Sequence, residues 1–200
     1  CFKRKARYIE PEELNSLVWT SLLLGGKGIS YFACDFTTNG FSAQPVLGEA
    51  IRKLNGELWA RRDILSPLIP MSEELVGQPL TGHKIYTAWA GDMGALVLLR
   101  NLDYRTDDQA NDRQARFQVN AKTNIELSLS LPSWLTCEAA RDFLSTNELP
   151  GRLEGQTLRL TVARLDGFRL LWLEQGAKAR LAPPPAVTPV KPAAVAPRGF

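Results

Sequence analysis

The stretch PEELNSLVWTSLLLGGKGISYFAC, residues 11–34, decides the fold class of this chain of 200 residues. Pro11 suits the first position of a helix, and the two glutamates after it lie where the helix dipole favours negative charge. Apolar residues then recur on one helical stripe, at Leu14, Leu17, Val18 and Leu22. This spacing predicts an amphipathic helix over residues 11–24. Gly25 or Gly26 can adopt the left-handed conformation that ends a helix.

A short apolar run follows these glycines. Gly28 opens the run Ile29–Cys34, which lacks clean alternation and is typical of a strand buried on both faces, as in a parallel sheet. After a polar connection, helical spacing returns over residues 45–66 and is followed by Pro67. Helix, strand, loop and helix make one and a half turns of a βα repeat, and one such unit cannot close a sheet. The sequence therefore predicts the tail end of a larger α/β domain.

The pattern changes to short strands after residue 70. Residues 85–89 and 95–99 are strand-like, and the spacing between them predicts a hairpin. Residues 102–115 are polar and predict a long exposed loop. Leu165–Gly167 suits a tight turn between the last two strands. The later strands are predicted at residues 116–119, 125–131, 157–163 and 168–173. About six antiparallel strands in this region predict a small β-sandwich.

These patterns divide the chain into three parts. Residues 1–69 are predicted to be the terminal helix–strand–helix of an α/β domain, and residues 70–175 to be the sandwich. Residues 176–200 are rich in Pro and Ala, which predicts a disordered or extended tail.

Composition removes several classes of function. A net charge of +3 with interspersed signs gives no indication of nucleic-acid binding. No apolar run reaches the roughly 18 residues that cross a bilayer, so no membrane partner is expected. Three scattered cysteines and one histidine, His83, make neither a disulfide framework nor a metal site. We therefore expect no metal and no cofactor.

Several motifs resemble one family of enzymes. They are the opening Pro-Glu-Glu, the turn Gly25-Gly-Lys-Gly28, and the segments Leu54–Leu58, Leu65–Leu68, Leu98–Asn101 and Leu131–Leu135. The first four resemble the end of the (β/α)8 barrel in glycoside hydrolases of the β-galactosidase-like kind, with Gly26 replacing the usual small residue. The last two resemble the C-terminal β-sandwich that such enzymes often carry. The likeness covers about residues 8–173.

The resemblance implies where a site would lie. Active sites of these barrels are at the C-terminal ends of the strands, which here means residues 34–41. Asp35 is then placed to bind a sugar hydroxyl, or alternatively to cap its own loop. Phe36 and Phe41 are placed to stack on a sugar, or alternatively to pack within the loop. The two catalytic carboxylates of the family come from earlier strands, so no catalytic residue is assigned in this chain.

Other residues have simpler interpretations. Gly25–Gly28 follows a helix and precedes a strand, the reverse of a phosphate-binding loop. Cys34 has no histidine near it in sequence and is predicted to be a small buried hydrophobe. Of the five tryptophans, Trp134 is the one expected to be exposed and able to touch a ligand, while Trp59, Trp89 and Trp172 are expected in the core.

Two functions follow as hypotheses. The first is the C-terminal part of a glycoside hydrolase with a carbohydrate substrate, its carboxylates lying upstream. The second is a noncatalytic module that binds carbohydrate or protein, or has a structural role. The oligomeric state stays open, and for the compartment only the family resemblance favours a secreted or periplasmic location.

Overall fold

The computed structural model describes residues 9–31, 45–71, 82–106 and 117–176. Three helices lie in these ranges, at α1 (Pro11–Leu23), α2 (Pro45–Ala60) and α3 (Arg62–Leu65). The strands in the same ranges are β1 (Ile69–Pro70), β2 (His83–Trp89), β3 (Gly94–Asn101), β4 (Tyr104–Thr106), β5 (Phe117–Val119), β6 (Lys122–Ser130), β7 (Ala139–Asp142), β8 (Gly151–Glu154), β9 (Thr157–Leu165) and β10 (Phe168–Glu174).

The strands form antiparallel sheets. One sheet has five strands in the order β1-β2-β3-β10-β7, and a second has three in the order β6-β9-β8. β4 and β5 pair with each other. The predicted fold class, helices of an α/β unit together with an antiparallel β-sandwich, is confirmed.

The first core lies between the five-stranded and three-stranded sheets. The five-stranded sheet contributes side chains that include Ile85, Val97, Leu99, Leu171 and Leu173, and the three-stranded sheet contributes Ile125, Leu127, Leu129, Leu158, Leu160 and Val162. β6 alternates buried and exposed residues over its second half because only one of its faces is covered.

The second core covers the opposite face of the five-stranded sheet. Trp19 and Leu23 of α1 and Leu54 of α2 pack there against sheet residues that include Ala88, Leu96, Leu98, Leu170 and Trp172. Trp19 is fully buried, and its ring meets Phe143 edge-on with centroids 5.9 Å apart. Because both faces of β3 and β10 are covered, these strands are continuous apolar runs rather than alternating ones.

The end of α1 shows why its sequence contains two consecutive glycines. Gly25 has a φ of 98°, and its N–H donates to the Leu22 carbonyl at 3.0 Å. The N–H of Gly26 donates to the Ser21 carbonyl at 2.8 Å, which completes a Schellman motif. A Cβ at Gly26 would lie 2.8 Å from that same oxygen. The predicted helix end is confirmed, one residue earlier than expected.

Polar anchors hold the helices on the sandwich. The Glu12 carboxylate accepts a hydrogen bond of 2.6 Å from the N–H of Gly167, in the connection between β9 and β10. Arg61, only 5% exposed, donates from Nε to the Phe143 carbonyl at 2.9 Å and from Nη2 to the Leu144 carbonyl at 2.8 Å. Both contacts join residues far apart in sequence and fix the helical layer against the sheet.

Some predicted elements differ from the structure. The helix predicted over residues 45–66 is interrupted at Arg61, whose φ of −114° and ψ of 14° separate α2 from α3. Residues 29–31 of the predicted strand 29–34 are not in a strand, and residues 32–34 lie outside the described ranges. The predicted turn at Leu165–Gly167 connects β9 of one sheet to β10 of the other, so it forms no hairpin.

Four short strands were not predicted. β4 falls inside the expected loop at residues 102–115, and β1, β7 and β8 fall in stretches without a strand pattern. Residues 177–200, predicted to be a tail, lie outside the described part of the chain.

Candidate functional site

The site implied by the family resemblance is not in the described ranges. Asp35, Phe36 and Phe41 fall between residues 31 and 45, as does Cys34. Their assignment as substrate-binding residues therefore stays a prediction. The structure does describe the two helices on either side of this segment, α1 and α2.

Lys27 shows what the Gly-Gly-Lys-Gly turn does. Its ammonium group donates to the Ser66 carbonyl at 3.1 Å and also to the Leu68 carbonyl. These carbonyls lie just past the end of α3, where a positive charge interacts favourably with the helix dipole. The lysine of this turn therefore holds the end of α3, a structural role that needs no phosphate ligand.

The five tryptophans differ in burial, and Trp89, which was predicted in the core, is only half-buried at the end of β2. Trp19 and Trp172 are fully buried, and Trp134 is 49% exposed, as expected from the sequence. The prediction that Trp59 lies in the core was wrong, because its side chain is 70% exposed on α2. Trp59 follows Leu58 on the helix and points away from the sheet, where the Arg62 guanidinium covers its ring at 4.7 Å.

Trp134 forms a pair with Trp89. Their ring centroids are 5.2 Å apart, and the ring planes meet at 62°, an edge-to-face arrangement. Sequence reasoning identified Trp134 but missed this partner, because 45 positions separate the two residues and no local pattern relates them. The pair is the most exposed aromatic cluster among the described residues that has more than one ring.

The position of Trp134 is fixed by its neighbours. A tight turn closes around it through a hydrogen bond of 3.0 Å from the Leu135 N–H to the Pro132 carbonyl. Leu131 on one side is 5% exposed and Leu135 on the other is 1% exposed, and both belong to the core between the sheets. The turn is therefore anchored at both ends, and the indole stands out between two buried leucines.

Trp89 is the last residue of β2. Strand alternation places it on the same face as Ile85, which lies in the core between the sheets. Its Cα partner on the edge strand β1 is Ile69, which is 55% exposed. Trp89 and Trp134 thus close one end of the sandwich and leave an apolar surface there.

A second concave surface lies on the outer face of the three-stranded sheet. This cleft of about 750 Å³ is lined by residues that include Glu126, Ser128, Ser130, Arg152, Thr157, Arg159 and Thr161. Glu154 binds both arginines, each at 2.9 Å. Leu127, Pro150 and Leu160 add an apolar part to this lining, but most of its side chains are polar and its two arginines are already paired with Glu154.

The two buried carboxylates of the described ranges have structural roles. Asp142 accepts hydrogen bonds from the N–H groups of Leu144 and Ser145, and forms an ion pair of 2.6 Å with Arg169. Glu174 forms an ion pair of 3.0 Å with Arg141. Both carboxylates stabilise the edge of the five-stranded sheet.

The remaining reactive groups are shielded. Burial raises the pKa of the Cys137 thiol to about 11, so it is protonated at neutral pH. Burial also raises the pKa of Glu57, and the nearby Lys53 and Arg61 oppose that shift. Within the described ranges, no group of three or more His, Cys, Asp or Glu residues is arranged to hold a metal ion. None of the helices described is long and apolar enough to cross a membrane.

Comparisons with known proteins found similarity to solved structures but not to any family model or curated sequence. Part of the structure is similar to part of alpha-L-fucosidase isoenzyme 2 from Paenibacillus thiaminolyticus, with 14% identity and a TM-score of 0.40. The likeness covers 68% of this chain, which spans 18% of the length of that enzyme.

Proposed function

We propose that this chain is the C-terminal part of a glycoside hydrolase. In this proposal residues 1–69 form the end of a (β/α)8 barrel, and residues 70–175 form an accessory β-sandwich followed by the tail at 176–200. The catalytic carboxylates belong to earlier strands of the barrel, and Asp35 with Phe36 and Phe41 contacts the sugar.

One observation supports this proposal most directly. The helices are fixed to the sandwich on their inner side by the second core, yet their outer side leaves large apolar residues exposed. Leu17 of α1 is 48% exposed, and Leu24, the C-cap of that helix, is 63% exposed. On α2, Val46 is 71% exposed and Trp59 is 70% exposed. A helical layer with apolar residues on both sides is expected when it lies between two packed units. In the proposal, the preceding barrel elements cover the outer side.

A structural, noncatalytic role for the described part of the chain also agrees with the proposal. Its two buried carboxylates are already engaged in ion pairs with arginines, so they are poor candidates for proton transfer or nucleophilic attack. A pair of carboxylates about 5 Å apart, as retaining glycosidases require, would then be supplied by residues before this chain. This division of roles supports an inactive accessory region attached to a catalytic one.

The test compares this chain with the protein encoded by the whole reading frame. Both are assayed on a panel of aryl glycosides, and glutamates at strand ends of the upstream region are changed to Gln one at a time. We expect turnover only from the longer protein and near-complete loss from two of the Glu→Gln variants. Absence of turnover from the longer protein on every glycoside would contradict the proposal.

A variant in this chain tests the role of the predicted loop. Asp35→Asn in the longer protein should lower kcat/KM about tenfold, mainly through KM, because it weakens a hydrogen bond to the sugar. Asp63→Asn is the matched control, since the Asp63 side chain is 87% exposed on α3. Equal kinetic constants for the two variants would refute the contact between Asp35 and the sugar, while the hydrolase proposal is tested by the turnover assay.

The second candidate is a noncatalytic carbohydrate-binding module. The exposed Trp134 ring, paired with the half-buried Trp89, favours it, because an exposed aromatic ring offers a flat apolar surface for a ligand. Sugar binding by the longer protein without turnover of any glycoside would favour this candidate over the hydrolase.

A further inference from the structure

We propose that Trp134, supported by Trp89, is a binding platform for a pyranose ring of an oligosaccharide, at the end of the β-sandwich. The choice of a sugar as ligand rests on the proposed function, but the platform lies on a different part of the chain from Asp35. It gives the sandwich a sugar-binding role of its own, whether or not the attached region is catalytic.

Rigidity is the first argument. The Trp134 turn is held by the hydrogen bond between Leu135 and Pro132 and by the burial of Leu131 and Leu135 in the core. Trp89 belongs to a strand that pairs with β3 over its whole length. Because the backbone that carries both rings is held in place before any ligand arrives, little backbone entropy is lost on binding.

The free face of the indole is the second argument. In an edge-to-face pair, one ring contributes its edge and the other contributes one face. Whichever part Trp134 plays, at least one of its faces is not used by Trp89, and 49% of the residue is exposed. Trp59 differs, because the Arg62 guanidinium already lies over its ring.

The polar surroundings favour a sugar over a purely apolar ligand. Ser133 and Thr136, both exposed, lie on either side of Trp134 and Leu135 in the turn. Their hydroxyl groups can donate and accept hydrogen bonds. A pyranose has C–H groups on one face and hydroxyls around its rim, so it matches a flat aromatic surface bordered by hydroxyl side chains.

The test measures binding by this chain directly. The protein is titrated with hexasaccharides of glucose, xylose, mannose and galactose, and binding is followed by isothermal titration calorimetry and tryptophan fluorescence. We expect at least one hexasaccharide to bind, and Trp134→Ala to weaken its binding about tenfold or more. Trp134→Phe should retain part of the affinity, because a smaller aromatic face remains.

Trp59→Ala is the matched control, since it also removes an exposed tryptophan, from α2. It should leave sugar binding unchanged, and thermal melting of each variant establishes that the fold is intact. If no hexasaccharide binds, or if Trp59→Ala weakens binding as much as Trp134→Ala, the proposal is overturned. A change in oligomeric state with Trp134→Ala, without sugar binding by the original chain, would also overturn it and would assign this surface to protein contact.

This outcome is independent of the hydrolase test. Loss of sugar binding here refutes the platform while turnover by the longer protein can persist. Conversely, sugar binding at Trp134 stands even if no glycoside is hydrolysed.

Discussion

Arg61 offers the sharpest test of how the helices are attached to the sandwich. It lies at the break between α2 and α3, is 5% exposed, and reaches residues more than 80 positions away. Its guanidinium also lies 5.1 Å from the centroid of the Phe143 ring. We predict that Arg61→Met, which keeps much of the side-chain volume, destabilises the whole chain by detaching this end of the helical layer.

The expected loss follows from the contacts of this side chain. A hydrogen bond from a charged donor contributes about 1.5–3 kcal/mol, and Arg61 makes two to carbonyl groups. The substitution leaves the Phe143 and Leu144 carbonyls without this donor. It also removes a buried charge, and the cost of burying that charge is the reason the pKa of Arg61 is lowered. We expect a net loss of about 2–4 kcal/mol in the free energy of unfolding.

The assay is urea denaturation followed by circular dichroism and tryptophan fluorescence. Arg61→Lys keeps the charge but lacks the planar fork that reaches two carbonyls, so its loss should be about half as large. Arg62→Met is the matched control, because Arg62 is exposed and its loss should stay within about 0.5 kcal/mol. If Arg61→Met and Arg62→Met have the same midpoint, the reasoning about this anchor is refuted.

Three further predictions concern single positions. Gly167→Ala should cost about 1–2 kcal/mol in urea denaturation, because its methyl group would lie 2.5 Å from the Glu12 carboxylate and displace that hydrogen bond. Gly28→Ala is its control, with no atom within 4 Å, and an equal loss there would contradict the contact. Gly94→Ala should cost about 3 kcal/mol or more by the same assay, because its φ of 134° is strained for alanine and the methyl group would strike the backbone of β10; a near-native midpoint would argue against this packing. For Cys137, whose burial raises the pKa of the thiol to about 11, the rate of alkylation of the folded protein should rise about tenfold per pH unit from pH 8 to pH 10. The rate is followed by mass spectrometry of the Cys137 peptide after digestion, and a plateau near pH 9 would indicate an accessible thiol.

The sequence predicted those elements whose signals are local. α1 is bounded by Pro11 at its start and by Gly25 past its end, and both signals lie within the segment itself. The hairpin of β2 and β3 follows from two apolar runs joined by a short turn. In both cases the residues that specify the element are close together in the chain, so the pattern is visible without a structure.

Elements that depend on distant partners were missed. β7 has four residues, and two of them are Arg141 and Asp142. Their charges are unfavourable in a buried strand until Glu174 and Arg169 of β10 neutralise them. No local pattern shows this pairing, because the partners are about 30 positions away.

The connection between β9 and β10 illustrates the same limit. Leu165–Gly167 has the composition of a hairpin turn, yet its two strands enter different sheets. Glu12 helps to hold this connection by accepting the Gly167 N–H, although 155 positions separate them. The local sequence is compatible with either geometry, and only the distant contact distinguishes them.

The candidate sites show a similar division. The exposure of Trp134 was predicted from its place after Pro132, whereas its pairing with Trp89 required the fold. Trp59 was misassigned because it adjoins the apolar stripe of α2 without belonging to it. Asp35, Phe36 and Phe41 remain predictions that depend on the family resemblance.

The order of strands in the larger sheet constrains how this chain folds during synthesis. β10 occupies an inner position between β3 and β7, yet it is synthesised after every other strand in the described ranges. Until it emerges, the edge of β3 that later pairs with β10 has no strand partner, although β2 and β3 can already pack against α1. Nascent chains in that state are candidates for chaperone capture, and a premature stop before Phe168 would remove the middle of the sheet rather than its margin.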